Sequence, residues 1–386
     1  MLLRRALLLL LGAFLVGQAP GAGVPAAPAA RKRVAILTDS WYPWSHADVI
    51  GMRLLEGYRL DGRYHPSPVT VDRVYLASPR PDDRAAALAP RYRFRVVGSV
   101  REALVEGQPP RLAVDGILVT TRINPAEDGP PPSPGPRRRL LEEVVRILDE
   151  VGGRPPIFID KLIAENWEDS RAIVAAAARR RIPLMGGSVL GYVDPDRPLP
   201  SPRGLEVALA AASSPYWAFA FHALELLQAY VEARAPQERG VRAVRVLAGA
   251  PDRAWGGDLL EGMLAGARTR RGSGRVESTL LVQYADETRG AVALVHDAFD
   301  DSEFLVGARL GARSALGGLV LPGEPYDHFG ALAHAVVAFI TSERPPIPIE
   351  RTLLTTGLVL RWAQARTVQG WLDTPDLLIS YPAPRR

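Results

Sequence analysis

The sequence predicts an α/β first half, a doubly wound and mostly parallel sheet, followed by an α+β half built on an open, mostly antiparallel sheet. Two observations carry this. Short apolar runs alternate with amphipathic, capped helices over residues 33–190, which is the pattern of parallel strands joined by crossover helices. Near 195 the pattern changes at the proline-rich "DPDRPLPSPRG", after which extended segments with alternating apolar residues follow closely enough to pair antiparallel. The expected boundaries are 32–195 for the first domain and 196–386 for the second. At 386 residues the chain is long enough for both to hold full cores.

Taken in order, residues 1–29 read as a secretory leader, with Arg4 and Arg5 before a short apolar run and small residues up to Ala29. The run is short for a membrane span, so the mature chain is expected to be exported and to carry none. "RVAILT" (33–38) is a strand, and "SHADVIGMRLLEGY" (45–58) is a helix with Ser45 as N-cap and Asp48 completing a capping box. "VTVDRVYLAS", "RFRVVG", "VDGILVTT", "PIFIDK" and "IPLMGGSVL" follow as strands. The intervening helices are "PDDRAAALAPRY", "SVREALVEG", "RRRLLEEVVRILDEVGG" and "NWEDSRAIVAAAARRR", the last capped by Asn166. Beyond 195, "GVRAVRVLAG", "RVESTLLVQYAD", "RGAVALVHDAF" and "SALGGLVL" are extended. "FAFHALELLQAYVEAR", "YDHFGALAHAVVAFITS" and "ERTLLTTGLVLRWAQARTV" are helical, and the last is expected to pack back on the first domain.

Composition removes several classes of function. The chain has no cysteine, so disulfides, thiol catalysis and cysteine metal sites are excluded. The formal charge is +5, but the basic residues are scattered and not interleaved with aromatics. The arginine triplets at 137–139 and 179–181 read as solvated helix faces, and no nucleic-acid surface is expected. The six histidines show no metal spacing, so no metal is assigned.

One residue stands out. Of 47 basic side chains only Lys32 and Lys161 are lysines, and Lys161 ends an apolar strand beside Asp160. An ammonium is compact and changes its pKa on burial, whereas a guanidinium is wide and permanently charged. Strand ends in a parallel sheet collect ligands. The groups there are Thr38 and Asp39, Ser78 and Arg80, Thr120 and Thr121, and Asp160 and Lys161. The glycine fingerprint of a dinucleotide loop is absent after the first strand, where "TDSWYPWSHAD" stands instead. Trp41, Tyr42 and Trp44 are expected to fold inward and fill the place of a pyrophosphate, with His46 facing the cleft beside Asp39. Later, His222 and Glu225 lie three apart on one helical face.

These residues together resemble the Gfo/Idh/MocA oxidoreductases, a two-domain family with a Rossmann-like domain followed by an open-sheet domain. "PPIFIDKLIAENWEDSRAIVAAAARRRIPLMGGSVL" is similar to the family's Glu-Lys-Pro segment, here Asp160-Lys161-Leu162. "FHALELL" resembles its later histidine motif, with Ala218 in place of the usual aspartate. "DRAAALAPRYRFRVVGSVREAL", "VDGILVTTRINP" and the closing helices are similar too. The resemblance implies Lys161 polarising a reacting oxygen with Asp160 beside it, and His222 moving its proton. It implies NAD(P) and a sugar or polyol, for which the strand ends and first loop offer Thr38, Ser45, Ser78, Arg80 and Thr120 to the cofactor and His46, Asp39, Trp41 and Glu225 to the substrate. It also allows a homo-oligomer through the second domain. An exported dehydrogenase meets little free nicotinamide, so two alternatives stay open on the same cleft. One is a cofactor-independent or metal-assisted sugar lyase or hydrolase, and the other is a carbohydrate-binding protein without catalysis.

Overall fold

A computed structural model describes residues 31–123 and 132–384. The leader expected over 1–29 lies outside the described residues, as does most of the proline-rich loop after Ile123. Six strands build the first sheet: β1 (Lys32–Thr38), β2 (Val69–Leu76), β3 (Arg95–Val97), β4 (Gly116–Val119), β5 (Ile157–Asp160) and β6 (Leu184–Gly187). Their spatial order is β6-β5-β4-β1-β2-β3 and every pairing is parallel. Chain order reverses between β1 and β4, where Val34 faces Gly116, so the crevice of a doubly wound sheet opens past Thr38 and Val119. Along β1, Val34 and Ile36 point to one core while Ala35 and Leu37 point to another, the period-two alternation of a strand buried on both faces.

The helices of this half are α1 (His46–Glu56), α2 (Ala85–Tyr92), α3 (Val100–Leu104), α4 (Pro136–Val151) and α5 (Trp167–Arg180). The expected caps are present: Ser45 accepts from the Asp48 amide, and Asn166 from the Asp169 amide. Only half of the capping box at Ser45 closes, because the Asp48 carboxylate turns to the Trp44 amide and the Trp41 indole.

Seven strands form the second sheet: β7 (Leu205–Ser213), β8 (Val241–Leu247), β9 (Arg275–Tyr284), β10 (Arg289–His296), β11 (Glu303–Leu310), β12 (Arg313–Val320) and β13 (Leu372–Asp373). The order is β12-β11-β7-β10-β9-β8-β13, antiparallel except where β7 runs parallel to β10. The sequence reading passed over β7 and β11. The alanine-rich "LEVALAAAS" of β7 has a single β-branched residue, Val207, and tertiary pairing overrides its weak propensity.

Four further helices are α6 (Tyr216–Val231), α7 (Gly257–Ala265), α8 (Phe329–Ser342) and α9 (Ile349–Ala365). As expected, α9 returns to the first half: Thr356 accepts from the Ile163 amide, and a methyl on Gly186 of β6 would meet Thr352 at 3.2 Å. The described residues from Arg31 onward make one compact unit, and one apolar cluster runs through both halves from Val34 and Trp41 to Leu224 and Trp362.

Candidate active site

The crevice at the reversal of strand order is a cleft of about 710 Å³. Its floor is the ends of β1, β4 and β5, with Thr38, Thr120, Asp160 and Lys161. Its rim holds Tyr42, Trp44, Ser78, Arg80, Arg122 and, from α6, Trp217.

Lys161 sits there under constraint. Its φ is 62°, the left-handed region that a residue with a side chain enters at a cost of about 1–2 kcal/mol. Its amide donates to the Gly187 carbonyl at 3.0 Å, and the buried Arg137 donates to the carbonyls on either side, of Asp160 at 2.9 Å and of Leu162. Arg137 also donates to the Thr121 carbonyl and to its hydroxyl at 2.9 Å, tying β4 to β5. The expectation of a solvated Arg137 is therefore corrected: it is 1% exposed and clamps the turn that presents the lysine. The available signal was helical phase: with α4 starting at Pro136, position 137 shares a face with the buried Leu141, Val144 and Leu148.

Burial pushes the Lys161 ammonium below its ordinary pKa, with Arg137 and Arg122 acting the same way against the opposing Asp160. Burial also works against ionisation of Asp160, but His46, Lys161 and Arg137 outweigh it and keep the carboxyl below its usual range. Nδ1 of His46 lies 2.7 Å from Oδ2 of Asp160, close enough for an ion pair though bent for a hydrogen bond. His222 lies in the field of Lys161, His46, Asp160 and His328, and burial holds it well below its usual pKa. The residues Asp160, Lys161, His46 and His222 thus form one electrostatic cluster. His328 joins it from the residue preceding α8, held at about 4 by burial and Arg53.

Other expected residues fall differently. Thr38, Asp39, Ser45, Ser78, Arg80 and Thr120 line the cleft. The Thr38 hydroxyl donates to the Thr120 carbonyl at 3.2 Å, and Asp39 accepts from the Arg122 amide at 2.6 Å. Arg80 pairs with Asp82 and lies 4.2 Å from the ring centre of Tyr42. Trp41 does not reach the cleft. Its indole lies fully buried beneath α1, stacked on Phe94 and donating to Asp48 at 2.8 Å. Trp44 turns outward onto Tyr326, at 47% exposure. The expectation that all three aromatics fill the cleft is corrected, because apolar burial is satisfied for Trp41 under the helix and leaves the crevice open. Glu225 is corrected as well: it is fully buried away from the cleft, accepting from Thr355 at 2.6 Å and lying 3.5 Å from Arg351. Trp217, at 47% exposure on the rim, was not singled out by the sequence; its place at the start of α6 becomes visible only when the two halves meet. Among the described residues no group of three or more His, Cys, Asp or Glu is placed to hold a metal ion, and no helix is long and apolar enough to cross a membrane.

No family profile and no curated protein matches the sequence. Solved structures do match. GenD2 from gentamicin A biosynthesis, in complex with NAD, superposes with a TM-score of 0.57 at 14% identity, over 92% of this chain and 99% of its own. Myo-inositol 2-dehydrogenase from Lactobacillus plantarum gives 0.56 at 10% identity, over 89% and 99%. Scyllo-inositol dehydrogenase from Lactobacillus casei gives 0.55 at 10%, over 89% and 98%. The chain has the fold of these dehydrogenases. That fold is the doubly wound domain followed by the open, mostly antiparallel sheet, over nearly the full length of each.

Proposed function

We propose that this chain is a divergent NAD(P)-dependent oxidoreductase of the Gfo/Idh/MocA type that acts on a hydroxyl of a sugar or polyol. The observation that carries the reading is Lys161, strained into a left-handed turn with its side chain in the switch-point cleft beside Asp160 and His46. A left-handed lysine persists only where its surroundings impose it, and such positions cluster at functional sites.

A dinucleotide fits the cleft in place, volume and charge. The crevice lies where doubly wound sheets bind nucleotides, and its 710 Å³ falls in the range of small-molecule sites. Two carboxylates near the first loop would repel phosphates, but each is engaged: Asp39 by the Arg122 amide, Asp48 by Arg84, Trp44 and Trp41. Arg80, Arg122 and the hydroxyls of Thr38, Ser45 and Ser78 would hold the phosphates and riboses in place of a glycine cradle. When bound, the nicotinamide supplies a hydride acceptor. Lys161 polarises the substrate oxygen, a neighbouring imidazole exchanges its proton, and Trp44 and Trp217 offer apolar faces for a sugar ring.

The test is calorimetric titration of the leaderless chain with NAD(H) and NADP(H), followed by turnover on a panel of myo-inositol and simple hexoses. Micromolar binding of one cofactor is expected. Absence of binding at millimolar cofactor would overturn the reading and favour a second one, acid–base chemistry on the same ligands without a cofactor. The bulky first loop, which sets Tyr42 and Trp44 on the cleft where a glycine cradle would stand, favours that alternative. Export through the 1–29 leader belongs to the proposal under either reading.

A further inference from the structure

We infer that His46 and Asp160 form the proton-transferring pair of this cleft, with Nε2 of His46 taking the proton of a ligand hydroxyl held at Lys161. The inference rests on the sugar or polyol reading above and names the base within it. Resemblance points to His222 for that task, but the geometry favours His46.

His46 is the first residue of α1, fixed by the Ser45 cap, and its ring lies edge-on to Phe329 at 5.4 Å. Its Nδ1 is buried and 2.7 Å from a carboxylate that is only 2% exposed. Although bent, that contact sets a carboxylate charge against Nδ1, which favours the proton there and leaves the Nε2 lone pair for the open edge of the ring. This is the orienting logic of a carboxylate–histidine pair. His222 has no such partner. Its Nδ1, like that of His46, is buried without a well-formed hydrogen bond, but among the described residues no carboxylate lies against it, and its ring contacts are Phe221 and Phe304. Nothing fixes its tautomer, and burial opposes the charge it would gain on accepting a proton. His46 faces the same desolvation, but the charge of Asp160 against its ring offsets part of it.

The step is a proton transfer alone. The ligand O–H bond breaks, its electron pair stays on the oxygen beside Lys161, and an N–H bond forms at Nε2 of His46. The charges in reach of the ring are Asp160, Lys161 and Arg137 at the strand ends, His222 on α6, and His328 before α8. Asp160 is a positioning residue, because it acts through the imidazole.

The experiment has two arms on the leaderless chain. In the first, nitrogen-15 NMR of the imidazoles reads tautomer and titration without cofactor. His46 is expected to carry its proton on Nδ1 at neutral pH, and Asp160→Asn to lower its titration midpoint. A proton on Nε2, or no response to Asp160→Asn, overturns the pair. In the second, turnover on the polyol panel is compared for His46→Gln, Asp160→Asn and His222→Gln. His46→Gln should lose about 100-fold or more in kcat, with KM and cofactor affinity nearly unchanged. Asp160→Asn should shift the acidic limb of the kcat profile downward. A comparable loss in His222→Gln, with His46→Gln near the unmodified rate, overturns the assignment. If no variant and no unmodified protein turns over, the oxidoreductase reading fails, and the NMR arm still decides whether the pair exists.

Discussion

At the scale of single residues, Lys161 carries a trade between stability and function that can be measured. Its left-handed backbone and its half-buried ammonium both work against the folded state. Glycine adopts the same φ freely and removes the buried charge. Lys161→Gly is therefore expected to leave the thermal midpoint unchanged or raised, while turnover falls about 100-fold or more. A clear drop in midpoint would make the lysine a structural residue. The imidazoles give a second prediction. His46, His222 and His328 are all held below the ordinary 6.5, His328 at about 4. The unfolded chain takes up these protons near pH 6.5, so it binds more protons than the fold between that value and the folded ones. Their contribution is complete above about pH 6.5 and is lost as pH falls, levelling for His328 below about 4. Thermal midpoints from pH 8 to 4 should decline on the acid side, and His328→Asn should flatten the decline.

Among the elements, the first loop and α1 set how far the sequence could be read. Ser45 and Asn166 were legible as caps because capping follows from side-chain chemistry and short spacing alone. The missing glycine fingerprint was equally legible. The destination of the aromatics was not, since three rings beside one proline can bury on either side of the loop. What decides it is Gly51 on α1: a methyl there would come within 2.4 Å of the Trp41 ring, so the bare helix backbone makes the slot that Trp41 occupies. Gly51→Ala should thus destabilise by about 1–3 kcal/mol by urea unfolding, even though alanine is the better helix former. An unchanged or higher midpoint would show that the ring can leave the slot at no cost. Arg137 was misread for a related reason. Its triplet looks uniform in sequence, but one of the three positions faces the strand ends, and helical phase around a proline start was the sole hint. Strand β7 was missed because its alanines carry no strand signal, and only pairing with β10 and β11 specifies it.

The whole molecule depends on a polar cluster that joins its two halves behind the cleft. Arg351 of α9 is fully buried, donates to the Glu225 carbonyl at 2.8 Å, and lies 3.5 Å from the Glu225 carboxylate and 3.3 Å from that of Glu232. Glu225 in turn accepts from Thr355 and from the Ser188 amide, just past β6 of the first sheet. One guanidinium therefore links α6, which carries His222 and Trp217, to α9 and, through Glu225, to the edge of the first sheet. Buried pairs add little net stability compared with apolar groups of the same shape, but removing one partner leaves the other charge stranded. Arg351→Met is expected to cost about 3–5 kcal/mol in urea unfolding, because the cation that faces two buried carboxylates is removed. Adding Glu225→Gln and Glu232→Gln to that variant removes the two carboxylate charges that Arg351 faced and should restore a large part of the loss. If the triple variant is no more stable than Arg351→Met alone, the cost is one of packing around the long side chain rather than of charge. The cluster would then hold α6 in place by shape, and the position of Trp217 on the cleft rim would not depend on these ions.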